Sequence, residues 1–391
     1  MNRSAQLNQG LLAMRPVYVI GIGLHPYQRK SEVSHVELGL TAVREALQDA
    51  SLAWPDVDAA FVGTALLGMA PGRAILPHLG ATGLAMTQIE NASASGSSAV
   101  AQASLAVASG TAEVALALGV DKPPATKLVL PRAPTGIPSL PGPSLPVANF
   151  ALLAETYMQR TGATPEQIAR VALKNHRNGA ANPAAQRRKV RTLDEVMSDP
   201  IAGILTRLQC CPVGEGASAV LLASDTALKR FGLDESRAVQ VLASVTRTER
   251  VYRDGLDNDT ELTRETVKVA LDQASMNALE LDVIEVHDAF SVEELLYLEA
   301  IGVCADGAAA SALADGEFDI GGRCAVSPSG GLLSMGHPIG PTGVGQVVEI
   351  TRQLRGEAGA RQQPNAQRGL AHMVGIGAVC VVHVLESRAA R

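Results

Sequence analysis

The stretch AVREALQDASLAWPDVDAAFV, residues 42–62, recurs without a gap as TVKVALDQASMNALELDVIEV at residues 266–286. Val43, Ala46, Leu47, Ala50, Ser51, Asp58 and Val62 stand where the second copy has Val267, Ala270, Leu271, Ala274, Ser275, Asp282 and Val286. In both copies apolar residues first recur at helical spacing, then a short break leads into a compact apolar run of strand type. Such self-similarity marks a duplicated chain. A looser correspondence runs in the same order. The strand, Gly/Ser cluster, helix and strand around Ser93 resemble the stretch from Ser329-Gly330-Gly331 to His383, where Gly343 opens a helix and apolar runs 371–376 and 378–384 follow. Alternating strands and helices in two duplicated halves predict an α/β fold with mixed, mostly parallel sheets covered on both faces.

The first half is read as residues 1–120 and 206–235 and the second as 236–391, with residues 121–205 inserted into the first. The insertion falls between a strand at Glu113–Val120 and another at Ala217–Ala223. It opens with Pro123, Pro124, Pro131, Pro134, Pro138, Pro141, Pro143 and Pro146, which excludes regular helix or central strand there. Two helices follow, near 148–161 and 165–178. A connection this long is a lid or a binding surface more often than a bare link. Its basic cluster, Arg187, Arg188, Lys189 and Arg191, is either a solvated face or a seat for an anionic tail such as a nucleotide phosphate.

Composition excludes several functions. Net charge is −6, and aromatic residues make up 3% of the 391 residues, so neither the basic footprint nor the stacking platforms of nucleic-acid binding are present. No apolar run approaches a membrane span, and the N-terminus lacks a signal-peptide pattern, which places the protein in the cytoplasm. Cys210, Cys211, Cys304, Cys324 and Cys380 are odd in number and scattered, fitting neither a disulfide framework nor zinc spacing.

Four stretches carry chemistry. In Ile89–Val100, a strand runs through Asn91-Ala92-Ser93-Ala94-Ser95-Gly96 into a helix expected over Ser97–Ala108. Unpaired N–H groups and the helix dipole there suit a nucleophile and a developing oxyanion, although Ser93 and Ser95 would also serve as caps. In Val283–Phe290, a buried strand ends at His287-Asp288, where reacting groups of parallel sheets gather. The glycine-dense stretch Ser327–Gly343 holds His337 between Gly336 and Pro338, fixed in direction as a proton-transfer residue requires. Finally, Gly375 and Gly377 between apolar strands are placed to offer N–H groups to an oxyanion, or to form a tight turn.

Together these residues resemble the thiolase superfamily, in particular its sterol-carrier-protein-type and archaeal acetyl-CoA acetyltransferase branches. Asn91–Ser98 is similar to the family's nucleophile motif Asn-Ala-Cys-Ala-Ser-Gly-Ser, His287–Phe290 to its His-Asp-Ala/Cys-Phe motif, and Gly336-His337-Pro338 to its Gly-His-Pro motif. Lys174-Asn175-His176 through Asn182-Pro183 resembles the inserted loop domain that binds coenzyme A, and Cys211-Pro212 through Gly216-Ala217 its return to the sheet. The resemblance implies a five-layered α-β-α-β-α fold, a homodimer or tetramer, and an acyl-CoA substrate with no metal or redox cofactor. It implies Ser93 at the nucleophile position and an oxyanion site formed by its N–H with that of Gly375. His337 would activate the nucleophile, and His287 would help stabilise the enolate or its water. Arg187, Arg188, Ser329 and Gly330 are the expected coenzyme contacts. A small zinc-ribbon/OB-fold protein is an expected partner. The chain ends soon after its last apolar run, so a fused sterol-carrier domain is not expected.

Two departures alter the expected chemistry. Serine stands where the family has its nucleophilic cysteine, and a hydroxyl needs a stronger adjacent base than a thiol. The family's second acid/base cysteine is also replaced, its late-strand position holding Met373 and the alternative position Ala289, while Cys380 is read as core. Three readings follow: an acyltransferase altered by Ser93, a retro-aldol lyase acting on a 3-hydroxyacyl-CoA, and a non-catalytic acyl-CoA-binding protein.

Overall fold

The computed structural model describes residues 14–124, 146–250, 258–376 and 379–388. Most of the proline tract expected to open the insertion, from Pro131 to Pro143, lies outside the described residues, as does Gly377. The first half contains β1 (Val17–Gln28), α1 (His35–Asp49), β2 (Ala59–Gly63), β3 (Ala85–Ile89), α2 (Ser95–Ala108) and β4 (Val114–Asp121). Within the insertion lie α3 (Pro146–Thr161), α4 (Pro165–Ala180) and the short pair β5 (Pro200–Ala202) and β6 (Leu205–Thr206); β7 (Glu215–Ser224) completes the half. The second half holds β8 (Val239–Thr248), α5 (Asn258–Ala274), β9 (Val283–Glu285), α6 (Ser291–Ile301), β10 (Ala325–Val326), α7 (Thr342–Arg355), β11 (Arg368–Gly375) and β12 (Val379–Ser387).

The duplication is visible in the hydrogen bonding. From its centre the sheet runs β1-β7-β4-β2-β3 one way and β8-β12-β11-β9-β10 the other, the same order of roles in each half. The residues shared between residues 42–62 and 266–286 perform the same local tasks. Ser51 and Ser275 both leave their helices at φ 54°. A single 3₁₀ turn follows in each copy, Trp54–Asp56 and Ala278–Glu280. Asp58 then accepts the N–H groups of Glu113 and Val114, and Asp282 those of Gln367 and Arg368. Each aspartate pins the start of its own strand to the start of a neighbour.

Helix α1 covers the outer face of the first half's sheet, and α5 and α6 that of the second, while α2 and α7 lie between and touch strands of both halves. These are the five expected layers. The expectation of mostly parallel pairing is corrected. Strands are parallel only where β2 meets β3 and β4 and where β9 meets β10 and β11; β4–β7, β7–β1, β1–β8, β8–β12 and β12–β11 are antiparallel. Parallel neighbours require a crossover, and β11 and β12 follow one another directly, so β12 returns antiparallel. Small residues bring the layers close. A Cβ on Gly21 or Gly23 of β1 would stand 2.3 or 2.0 Å from the carbonyl oxygens of Ala46 and Ala42 on α1, nearer than any side chain allows.

The two helices expected in the insertion are present. Helix α4 starts at Pro165 behind a Thr164–Gln167 capping box. It docks on the second half: Ile168, Val171 and Ala172 share a core with Leu262, Leu295 and Leu298. Its buried Lys174 donates to the Asn175 side chain and the Val326 carbonyl, both at 2.6 Å, and lies 3.1 Å from Glu294. The insertion is thereby tied to the loops that carry the histidines.

Candidate active site

Helix α2 begins at Ser95, two residues before the position expected from its apolar spacing. The turn before it is tight. Ala92 has φ 49°, a left-handed conformation that costs a non-glycine residue about 1 kcal/mol. Ser95 holds it there: its Oγ accepts from the Asn91 N–H at 2.9 Å and donates to the Ala92 carbonyl at 2.6 Å. Asn91 in turn donates from its amide to Ser98 Oγ. The N-cap position falls to Ala94, with no side-chain bond, so Ser93 is no cap. Its Oγ instead lies 3.1 Å from His337 Nε2, and both residues are buried.

Behind that contact, His337 Nδ1 lies 2.9 Å from Thr342 Oγ1 at the start of α7. With the threonine hydroxyl accepting the Nδ1 proton, Nε2 is left as an acceptor facing Ser93. Burial, and secondarily His287 beside it, hold the His337 imidazole well below the usual histidine range, so at neutral pH it is uncharged and able to receive a proton. The His287 ring stands edge-on to it, with centroids 5.4 Å apart. His287 Nδ1 is 3.2 Å from Glu293 Oε1 on α6, and Glu293 also accepts from the Phe290 N–H and the Tyr297 hydroxyl. The carboxylate orients the ring, leaving His287 Nε2 buried and without a partner among the described residues.

Gly375 closes the site at the end of β11. A Cβ there would meet the Asn91 carbonyl oxygen at 2.3 Å and the Ala94 side chain at 3.3 Å, so its backbone abuts the Ser93 turn. Asp121 at the end of β4 joins the surrounding loops, accepting from the Thr64 hydroxyl and from the N–H groups of Ala65, Leu66 and Gly340; burial nevertheless raises its carboxyl to about 6. Ser93, His287, His337 and Gly375, some two hundred positions apart in the chain, meet in one place.

The four expected coenzyme contacts lie in differing surroundings. Arg187 is half-buried and its Nη1 donates to the carbonyls of Cys210 and Leu333, while Arg188 is exposed. Ser329 and Gly330 are both interior. The Ser329 hydroxyl donates to buried Glu285, and a Cβ on Gly330 would lie 2.7 Å from Gly179 of α4. Their dense glycines serve close helix packing, which a sequence pattern does not distinguish from ligand approach. Met373 is fully buried against Ala94 and Val381, and Cys380 is core. Thr342, Glu293 and Glu285 were missed by sequence reasoning. Thr342 and Glu293 lie at helix starts close after the histidines, the only signal that marks them.

With this geometry in view, the comparisons with known proteins are direct. Residues 17–226 match the thiolase N-terminal domain and residues 246–387 the thiolase C-terminal domain-like family. The chain belongs to the thiolases. It is 34% identical to human sterol carrier protein 2 over 94% of this chain and 71% of that protein. It is 33% identical to the acetyl-CoA acetyltransferase of Methanothermobacter thermautotrophicus, over 95% of this chain and all of that one. The benzoylsuccinyl-CoA thiolase subunit BbsB of Thauera aromatica is also 33% identical, over 93% and 95%. Among solved structures, the fold is similar to the Ltp2-ChsH2(DUF35) aldolase, with TM-score 0.82 and 24% identity over 96% of this chain and 99% of that one. It is also similar to human mitochondrial 3-ketoacyl-CoA thiolase, with TM-score 0.73 and 16% identity over 96% and 100%. Thiolases take coenzyme A thioesters as substrates and need no further cofactor. Among the described residues no helix is long and apolar enough to cross a membrane.

Proposed function

We propose that this thiolase is an acyl-CoA acyltransferase working through Ser93 in place of cysteine. In thiolysis Ser93 Oγ attacks the C3 carbonyl of a 3-oxoacyl-CoA and passes its proton to His337 Nε2. The C2–C3 bond then breaks, and the departing enolate, with the His287 imidazole beside it, regains that proton at C2 as acetyl-CoA. The thiol of coenzyme A next attacks the acyl-serine ester, its proton going through His337 to Ser93, and acyl-CoA leaves. The 3.1 Å contact between Ser93 and His337 carries this reading. An oxyanion site from the N–H groups of Ser93 and Gly375 completes it. Exposed Arg188 and Lys189 are the insertion's candidates for the coenzyme phosphates. A homodimer or tetramer acting with a small partner protein is part of the proposal; the Ltp2-ChsH2(DUF35) aldolase, named for two components, supports the partner.

The support behind His337 is a hydroxyl, whereas a serine nucleophile is served best by a base with a carboxylate behind it. Acyl transfer is therefore slow. Replacing Ser93 by cysteine restores a nucleophile that ionises near neutrality. The expected result is faster thiolysis of 3-oxoacyl-CoA esters, measured by loss of thiol or of the 3-oxo absorbance. A Ser93→Cys protein that neither becomes acylated nor cleaves these esters would overturn the acyltransferase reading.

The same hydroxyl support favours one alternative, retro-aldol cleavage of a 3-hydroxyacyl-CoA. His337 would take the 3-hydroxyl proton, the C2–C3 bond would break to release an aldehyde or ketone, and the enolate would be protonated at C2. That route needs no nucleophile. Release of the carbonyl product by Ser93→Ala, without added coenzyme A, would select it.

A further inference from the structure

Behind the Ser93–His337 pair, beside Thr342, lies a small cavity most of whose walls the mechanism does not use. Tyr27, Glu285, Ser329, Thr342 and Gln346 supply its polar lining, and every one of them is buried. It offers about 10 Å³ to the centre of a water molecule, the room that one water needs. Two features of its wall call for a ligand with hydrogens to share. Gln346, on α7, donates from Nε2 to the His372 carbonyl, but its Oε1 is sealed from solvent and has no partner among the described residues. A buried amide oxygen left unpaired costs about 1–3 kcal/mol, which a water in a polar cavity offsets. Thr342 is the second feature. Its hydroxyl accepts from His337 Nδ1, which leaves its own proton to be given away.

We propose that one bound water in this cavity joins Thr342 to Gln346 and Glu285, so that a chain from His337 Nδ1 through the threonine hydroxyl and the water ends on the Glu285 carboxyl. Glu285 is then a positioning residue for the His337–Ser93 pair, acting through Thr342 and touching no substrate. The order of donation is fixed along the chain: Nδ1–H to Thr342, Thr342 O–H to water, water to Gln346 Oε1 and to Glu285. That order holds His337 in the tautomer whose Nε2 faces Ser93. Forming the chain moves no proton from one member to another.

The surroundings of Glu285 make its charge variable near neutral pH. The Ser329 N–H and hydroxyl donate to its carboxyl at 2.9 and 2.7 Å. Burial, followed by the like charge of Glu349, raises it to about 8, against the opposing pull of Lys174. Asp288 and the Tyr27 hydroxyl also face it, and Glu349 is itself paired with Arg361. Below that pH the carboxyl is neutral; above it, a carboxylate at the far end of the chain makes His337 a stronger base.

The inference rests on the Ser93–His337 pair of the proposed function, yet it can be read without any acyl-CoA. Histidine-labelled ¹⁵N spectra of the full chain, with the His337 signals assigned by their loss in His337→Gln, report tautomer and charge together. The expected spectrum shows a neutral, Nδ1-protonated His337 whose nitrogens shift in a step centred near pH 8. That step disappears in Glu285→Gln, which removes the charge at nearly unchanged size, and in Gln346→Leu, which removes the amide oxygen that receives the water. A His337 protonated on Nε2, no step in the unaltered protein, or a step retained in both variants would overturn the relay. Failure of Ser93 to take an acyl group would overturn the proposed function and leave these spectra unchanged.

Discussion

Alanine in place of His337 is expected to lower turnover of the acyl-CoA substrate by about 10²–10⁴-fold, the usual weight of a positioned general base. The effect falls on kcat, because His337 faces the Ser93 hydroxyl at 3.1 Å from an interior position. Both proposed reactions use this imidazole, for the serine proton in one and the 3-hydroxyl proton in the other, so the loss does not depend on which is correct. The ring's two hydrogen-bond contacts go to the hydroxyls of Ser93 and Thr342 and to no strand or helix ladder, so the thermal midpoint should move little. Steady-state kinetics beside a melting curve check both halves of the expectation. An unchanged kcat would remove His337 from the chemistry.

Gly375→Ala is expected to have the second largest effect, about 10²-fold on kcat, without any change in the charged groups. The added Cβ would stand 2.3 Å from the Asn91 carbonyl oxygen, a backbone atom of the Ser93 turn that has no room to yield as a flexible side chain would. Either the end of β11 or the turn must shift by roughly an ångström, and a displacement of that size costs about 10²-fold in a catalytic alignment. If Gly375 also offers its N–H to the oxyanion, loss of that donor falls in the range of about 10²–10³-fold. The variant's KM should rise less than its kcat falls. Kinetics matching the unaltered protein would show that the turn tolerates the methyl group and that Gly375 holds no part of the site.

The duplication, the layers and the central position of Ser93 were legible in the sequence because each rests on a repeated or strongly punctuated pattern. Ser51 and Ser275, seven positions before Asp58 and Asp282, recur since both copies end a helix and pin a strand in the same way. The sheet's antiparallel majority was not legible. It follows from which strands lie side by side, and an apolar run reads alike in either direction. The same limit explains the start of α2: Ser95 uses its hydroxyl to close the Asn91–Ala92 turn and begins the helix itself, a double duty that helical spacing does not reveal. At the site, His287 and His337 stood out because imidazoles between glycines, prolines and strand ends are rare. Thr342, Glu293 and Glu285 did not, since a threonine or glutamate at a helix start reads as ordinary capping or dipole chemistry until the ring nitrogen beside it is seen. The glycine-rich pattern at Ser329 and Gly330 serves contact with α4, a role that reads in sequence like approach to a ligand.

The most direct test of a Ser93-centred acyltransferase is intact-protein and peptide mass spectrometry after incubation with a panel of acyl-CoA and 3-oxoacyl-CoA esters. The account predicts a mass increase equal to the acyl group, mapped to the peptide bearing Ser93, removed by free coenzyme A and absent from Ser93→Ala. Turnover of those esters by Ser93→Ala at the unaltered rate, with no acyl group found on Ser93 at any time, would contradict it.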